Sequence, residues 1–300
     1  MEFDAEKLRR DFGASDQKRD AGLTTPDNIR RYDDIVYGKY GKYNLLDIYH
    51  KKDVTAPQKT ILDIHGGGWT YGDKDVYQHY CMDMAQRGFT VVNFSYRLSP
   101  ENPFPAALED INTVFTWVAE NAGAYNIDLD KICVTGDSAG AQLASQYLTL
   151  LTSSAYRELF PMQVPYDRIR VKAVALNCGC YDMKKFVEAG GDKPFLAYID
   201  KALTEERDVT LERIDVIKYI NADFPPAYVM TAAHDFLRDY AQPMYELLKE
   251  KGIVCEYRLY GNAEDQHMGH VFHLNQRLAE AKICNDDECR FFDRILNSSL

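Results

Sequence analysis

KICVTGDSAGAQLASQYLTLL, residues Lys131–Leu151, decides the fold. A short strand-like run, Lys131–Thr135, stops at Gly136-Asp137-Ser138-Ala139-Gly140, and a helical pattern over Ser138–Leu151 leaves it. A G-x-S-x-G between a strand and a helix can hold a serine on a sharp turn with its hydroxyl exposed. Gly136 and Gly140 suit that turn, because a side chain at either would crowd the adjoining strand or helix. Alone the pattern is weak, arising by chance in roughly one chain of this length in ten. Upstream, His65-Gly66-Gly67-Gly68-Trp69 follows another strand-like run, Lys59–Ile64. A His-Gly-Gly-Gly arises by chance in roughly a few such chains per thousand. Its bare backbone N–H groups can face a developing oxyanion. Together, in this order, the two segments supply both halves of an acyl-transfer site.

Outward from these turns, strand-length apolar runs alternate with helical patterns. Lys42–Tyr49 and Phe89–Phe94 predict strands, Asp75–Arg87 and Pro105–Ala122 helices. Ala107, Ile111, Val114, Phe115 and Val118 fall on one stripe of the latter. Strands follow at Val171–Leu176 and Ala227–Thr231, then a helix over Tyr240–Lys251 and a strand over Val254–Leu259. His273–Ile295 reads as a closing helix, interrupted near Asn285-Asp286-Asp287. This alternation predicts an α/β fold with a mostly parallel central sheet and helices on both faces, a single domain over residues 1–300. In such sheets the site lies beyond the carboxyl ends of the strands, where both glycine segments fall. Met1–Arg31 and Tyr181–Asn221 do not fit the sheet and are the candidate cap elements.

Composition narrows the function. The 300 residues, 46% hydrophobic, are enough for one large core or a core plus a small cap. A formal charge of −11 without a Lys/Arg block argues against a nucleic-acid surface. No apolar run reaches transmembrane length, and Met1–Glu6 lacks the basic and apolar regions of a signal peptide. A secreted protein stripped of its leader would share that start. The seven scattered cysteines, Cys81, Cys133, Cys178, Cys180, Cys255, Cys284 and Cys289, read as reduced thiols packed as small apolar groups. A cytoplasmic location is therefore expected, with no metal site and no cofactor. The expected partner is a small-molecule ester, and a homodimer stays open.

Ser138 is the candidate nucleophile, and its hydroxyl needs a base. In this kind of site the acid and then the base follow the serine along the chain. His267, His270 and His273 are the candidate bases, in a loop after the last predicted strand. Asp235, four residues beyond Thr231, is favoured as the acid that orients the imidazole. Asp182 is the rival, and Asp239 is better suited to capping a helix. Gly67, Gly68 and Ala139 would donate backbone N–H groups to the oxyanion. Asp137 reads as a carboxylate bracing the serine turn, and Arg97 with Asp110 or Glu109 as a buried pair behind it.

The chain resembles the hormone-sensitive-lipase-like branch of the α/β-hydrolase superfamily. The resemblance rests on HGGGW (His65–Trp69), YRLSPENPFPAALED (Tyr96–Asp110), GDSAG (Gly136–Gly140), PPAYVMTAAHDFLRD (Pro225–Asp239) and HVF (His270–Phe272). It covers roughly Tyr43 to the C-terminus and implies a serine carboxylesterase without cofactor, with a small helical cap over the site. On the matching positions it implies a triad of Ser138, Asp235 and His270, an oxyanion hole of Gly67, Gly68 and Ala139, and Trp69 walling the acyl pocket. The family usually carries glycine where this chain has Val271. Short-chain carboxylic esters are the expected substrates. Acetyl or feruloyl esters of plant-derived carbohydrates, an arylformamidase-type amide, and a non-catalytic small-molecule binding role on the same fold are the alternatives.

Overall fold

The computed structural model describes residues 3–190 and 193–298. Met1, Glu2, Gly191 and Asp192 of the two candidate cap segments lie outside the described residues. Among the described residues the strands are β1 (Ile29–Val36), β2 (Leu45–Lys51), β3 (Gln58–Ile64), β4 (Thr90–Phe94), β5 (Ile127–Asp137), β6 (Val171–Asn177), β7 (Ala227–Ala232) and β8 (Cys255–Tyr260). They form one sheet in the order β1-β2-β4-β3-β5-β6-β7-β8. β2 runs antiparallel to β1 and β4, and every other pairing is parallel. The helices are α1 (Ala5–Asp20), α2 (Lys74–Gln86), α3 (Ala106–Asn121), α4 (Ala139–Thr152), α5 (Ser154–Arg157), α6 (Met183–Glu188), α7 (Lys193–Glu205), α8 (Arg207–Ile214), α9 (Arg238–Glu250) and α10 (Ala279–Asn297).

Strand periodicity divides the interior into two cores. Leu62, Val92, Val134, Val174 and Val229 pack into one with α3, α4 and α9. Their neighbours Ile61, Val91, Cys133, Ala173 and Tyr228 pack into the other with α2 and α10. From β3 the chain moves outward to β4, then returns to the opposite side of β3 as β5. The crevice at the carboxyl ends of β3 and β5 is thus a topological switch point, where α/β sheets bind ligands. His65–Trp69 follows β3 directly, and Ser138 follows β5.

Two sequence expectations are corrected. Ile29–Arg31, placed in a cap segment, opens the edge strand β1. Arg30, Arg31, Asp33 and Asp34 hide that strand in the sequence, because an edge strand with one wet face needs no apolar run. The last helix begins at Ala279 rather than His273 and runs unbroken through Asn285-Asp286-Asp287. Asn285 is buried there, and its amide donates to Asp83 and to the His273 carbonyl, so tertiary partners replace the solvent its polarity suggested.

Glu288 of α10 is fully buried beneath the sheet, accepting from Asn177 Nδ2 at 2.9 Å and Tyr80 OH at 3.4 Å. Burial pushes its carboxyl up to about 7, against the lowering by hydrogen bonds from Asn177, Thr135 and Tyr80. Between the ordinary glutamate range and about pH 7 the folded protein therefore holds a proton that the unfolded chain has released. The resulting stability is complete at low pH and fades as pH rises through about 7. Glu288→Gln should melt close to wild type at about pH 4 and a few degrees above it at about pH 8 by thermal unfolding. An equal difference at both pH values would show that the carboxyl does not titrate there.

Candidate active site

Ser138 sits between β5 and α4 at φ 52°, ψ −119°, with its N–H on Asn177 O at 2.8 Å. The turn tolerates no side chains beside it. A Cβ on Gly140 would lie 1.9 Å from Ile64 O, and one on Gly136 would lie 2.6 Å from Gly140 O. The half-buried hydroxyl is 2.9 Å from His270 Nε2, and His270 Nδ1 is 2.7 Å from Asp235 Oδ1. Asp235 also accepts from Leu237 N at 2.9 Å and Thr231 Oγ1 at 2.8 Å. Burial alone would raise its carboxyl, but the His270 contact and these donors outweigh it and hold it below its ordinary value. An ionised Asp235 fixes the proton on Nδ1 and leaves Nε2 free to accept from the serine.

The structure thus brings together Ser138, His270 and Asp235. Asp182 instead caps α6 through Lys185 N, and Asp239 lies exposed in the first turn of α9 beside Arg238. His267 faces Glu280 at the surface, and His273 is buried edge-on to Tyr80, where burial drives its imidazole down to about 3. Arg97 pairs with buried Asp110 at 2.9 Å and with exposed Glu109 at 2.7 Å.

The glycine loop packs against the serine turn. Gly67, Gly68 and Trp69 have φ of 112°, 60° and 57°. A Cβ on Gly67 would meet Tyr71 O at 2.0 Å. Ala139 is the first residue of α4, where a backbone N–H has no intrahelical acceptor. One bracing residue, Tyr77, carries no sequence signal. Gly66 N–H donates to its hydroxyl at 2.8 Å, and that hydroxyl donates to Asp137 Oδ2 at 2.9 Å. Burial lifts the Asp137 carboxyl to about 6, although the Tyr77 bond opposes the rise. His65 stacks on Tyr96 at 4.0 Å, and its Nδ1 donates to Gly66 O at 2.7 Å. Burial lowers its imidazole to about 4, so it is a neutral structural wedge.

A cavity of about 260 Å³ opens over Ser138. Trp69 lines it, anchored by Nε1 on Gln142 Oε1 at 3.1 Å and stacked on Tyr198. Phe186 and Pro194 line it from α6 and α7, and Phe12, Ser15, Asp16 and Arg19 from α1. Phe236 lies against the His270 ring at 4.3 Å. Of the six described non-glycine residues with left-handed φ, four border this site: Trp69, Ser138, Cys178 and Val271. Such strain concentrates where surrounding structure over-determines a functional geometry.

Donor atoms of Cys178, Asp235 and His270 lie within 4.8 Å of one another. They suit a metal poorly. Burial pushes the Cys178 thiol well up, away from the thiolate a metal needs, and both Asp235 oxygens are already engaged. All seven cysteines are free, and only Cys255 is not buried.

This geometry predicts an activated serine. A fluorophosphonate should label the protein, with labelling absent in Ser138→Ala and slowed at least about a hundredfold in His270→Ala. His267→Ala should label normally. Slow labelling in His267→Ala with normal labelling in His270→Ala would reassign the base.

A family model described as the alpha/beta hydrolase fold matches residues 61–274. The chain is 29% identical to a probable carboxylic ester hydrolase, LipM, of Mycobacterium tuberculosis over 82% of its own length and 60% of LipM. It is 29% identical to a versiconal hemiacetal acetate esterase of Dothistroma septosporum, covering 79% of this chain and 73% of that one. It thus spans less than two thirds of LipM but more than two thirds of the fungal esterase. Esterase B of Lactobacillus rhamnosis superposes with a TM-score of 0.87 at 26% identity, over 97% of this chain and 94% of that one. An esterase of Pyrobaculum calidifontis superposes at 0.76 with 23% identity, over 99% and 94%, a likeness of fold. Because the matched stretch runs from inside β3 to beyond His270, taking in both glycine turns, the chain belongs to the alpha/beta hydrolase family, in its hormone-sensitive-lipase-like branch.

Proposed function

We propose that this protein is a serine carboxylic ester hydrolase acting on short-chain esters through an acyl-enzyme. The observation that carries the reading is the continuous relay from Ser138 Oγ through His270 to Asp235 at the floor of the cavity. Ser138 Oγ attacks the acyl carbon while His270 Nε2 takes its proton. The carbonyl oxygen becomes an oxyanion held by the N–H groups of Gly67, Gly68 and Ala139, each donor contributing about 2.7–4 kcal/mol to the transition state. Imidazolium formed at His270 is stabilised by Asp235 and returns its proton to the departing alcohol. Water then attacks the acyl-enzyme by the same route. The names of LipM, the fungal acetate esterase and Esterase B agree with this chemistry. The acetate in the fungal esterase's name supports a short acyl group.

The described parts of the two candidate cap segments support a cap role. α1, α6 and α7 all contribute residues to the cavity wall above Ser138. Among the described residues no helix is long and apolar enough to cross a membrane.

Hydrolysis of p-nitrophenyl esters from acetate to decanoate tests the reading. Activity should peak at acetate or butyrate and fall by at least about a thousandfold in Ser138→Ala. Folded wild type that cleaves none of them would sink it.

Val271, the departure from the family pattern, sits in the left-handed region at φ 51°, ψ 33° directly after His270. A non-glycine residue there costs roughly 1–2 kcal/mol, close to the roughly 1 kcal/mol of backbone freedom a glycine would bring to the unfolded chain. With the backbone terms nearly cancelling, Val271→Gly should lower the melting temperature by a few degrees through the lost packing of the partly buried valine, while kcat on p-nitrophenyl acetate drops about threefold to tenfold as His270 gains backbone freedom. An unaltered kcat would show that the strained valine does not position the base.

A further inference from the structure

The cavity over Ser138 has two unlike walls. Trp69, Phe186 and Pro194 form an apolar wall, fixed by the stacking of Trp69 on Tyr198 and the packing of Phe186 against Phe195. The same cavity is lined by Ser15, Asp16 and Arg19 of α1, with Phe12 of that helix packed on Tyr71. Asp16 Oδ2 accepts from the Tyr71 hydroxyl at 2.8 Å, and Asp16 Oδ1 accepts from Arg19 Nη1 at 2.9 Å. Arg19 also donates to Asp20 and to Val76 O. These bonds leave the phenol oxygen a lone pair and Nη1 a second N–H, and Ser15 contributes an exposed hydroxyl.

The cavity that these polar groups line also holds His270. His270 must protonate the departing oxygen, so the alcohol half of the ester sits beside His270. The C-terminal end of α1 is tied to the segment after His270, because Arg277 donates to the carbonyls of Arg19 and Ala21.

Resting on the esterase reading above, we propose that Asp16, Arg19 and Tyr71 select esters of neutral, polyhydroxylated alcohols. An alkyl alcohol pressed against this wall strips water from three polar groups and returns no hydrogen bond. A hydroxyl replaces that water, because it can accept from Arg19 and donate to Tyr71 or Asp16. An anionic alcohol would meet the Asp16 carboxylate in a protein of net charge −11, and a cationic one would meet Arg19. The discrimination follows the general asymmetry of polar sites, which reject analogues lacking the expected hydroxyl more strongly than apolar sites reject an added one.

The test compares 1-acetylglycerol with propyl acetate, which share the acyl group and carbon skeleton, with p-nitrophenyl acetate as the reference. Wild type should show kcat/KM for 1-acetylglycerol at least about tenfold above that for propyl acetate. Tyr71→Phe keeps the ring that packs on Phe12 at 5.6 Å and removes only the hydroxyl. It should reduce the preference about fivefold, through KM for 1-acetylglycerol, a larger change than any it makes on p-nitrophenyl acetate. Asp16→Ser, a second variant, should reduce it similarly. No preference in wild type, a ratio unmoved in both variants, or an equal loss on all three esters would overturn the proposal while the esterase reading stands. Failure of wild type to cleave any of the three would overturn both.

Discussion

Two backbone turns approach each other here more closely than any side chain permits. A Cβ on Gly140 would sit 1.9 Å from the Ile64 carbonyl at the end of β3, and one on Gly66 would sit 2.6 Å from the Asp137 carboxylate. The serine turn and the glycine loop are therefore one object, stitched by Gly66 N–H to Tyr77 to Asp137. Remove that contact and the proposed donors, the N–H groups of Gly67, Gly68 and Ala139, lose their fixed relation to Ser138. Oriented dipoles act on a developing charge only when they need not reorganise to meet it. Close packing supplies that rigidity.

The sheet adds the remaining geometry. Strand order reverses across β3, so the crevice at its carboxyl end is open to both turns. β7 delivers Asp235 just past its end, where Thr231 on the same strand donates to it. His270 comes from the loop beyond β8 and is pinned by the left-handed turn at Val271. Left-handed residues gather around this point because β-strand ends and tight turns must together aim three side chains at one spot. The interior beneath accepts buried carboxyls at Asp63, Asp137 and Glu288, all pushed upward by burial. Stability there is tied to pH by groups with no part in the proposed chemistry.

Most of this was legible in the sequence for a physical reason. Glycines at Gly136 and Gly140, and at Gly66 to Gly68, mark places where backbones must touch, and such places leave residue-specific traces. Buried inner strands read as apolar runs, so β3, β4, β6 and β7 agree to within a residue, as does the edge strand β8, whereas only Lys131–Thr135 of β5 is legible because its first half is polar and partly exposed. β1 was not, because half of an edge strand faces water and its charges resemble a loop. The histidine loop stayed ambiguous between His267, His270 and His273 on chemistry alone, since only the turn at Val271 decides which imidazole points at the serine. Tyr77 was invisible because one tyrosine on an amphipathic helix looks like core packing. The polar wall was hidden too, since α1 reads as an ordinary charged helix.

None of the α1 residues is buried. Its attachments are mostly polar, with Phe12 packed on Tyr71: Arg9 to Glu101 and the carbonyls of Thr70 and Ser99, Asp16 to Tyr71, Arg19 to Val76 O. The helix that shapes one side of the cavity thus stands outside the two cores that make the protein fold. Sequence drift on its inner face can retune what the cavity accepts with little effect on folding, whereas drift at Gly140 or Tyr77 would cost the scaffold itself. Evolution can therefore vary the appetite of this molecule independently of its architecture.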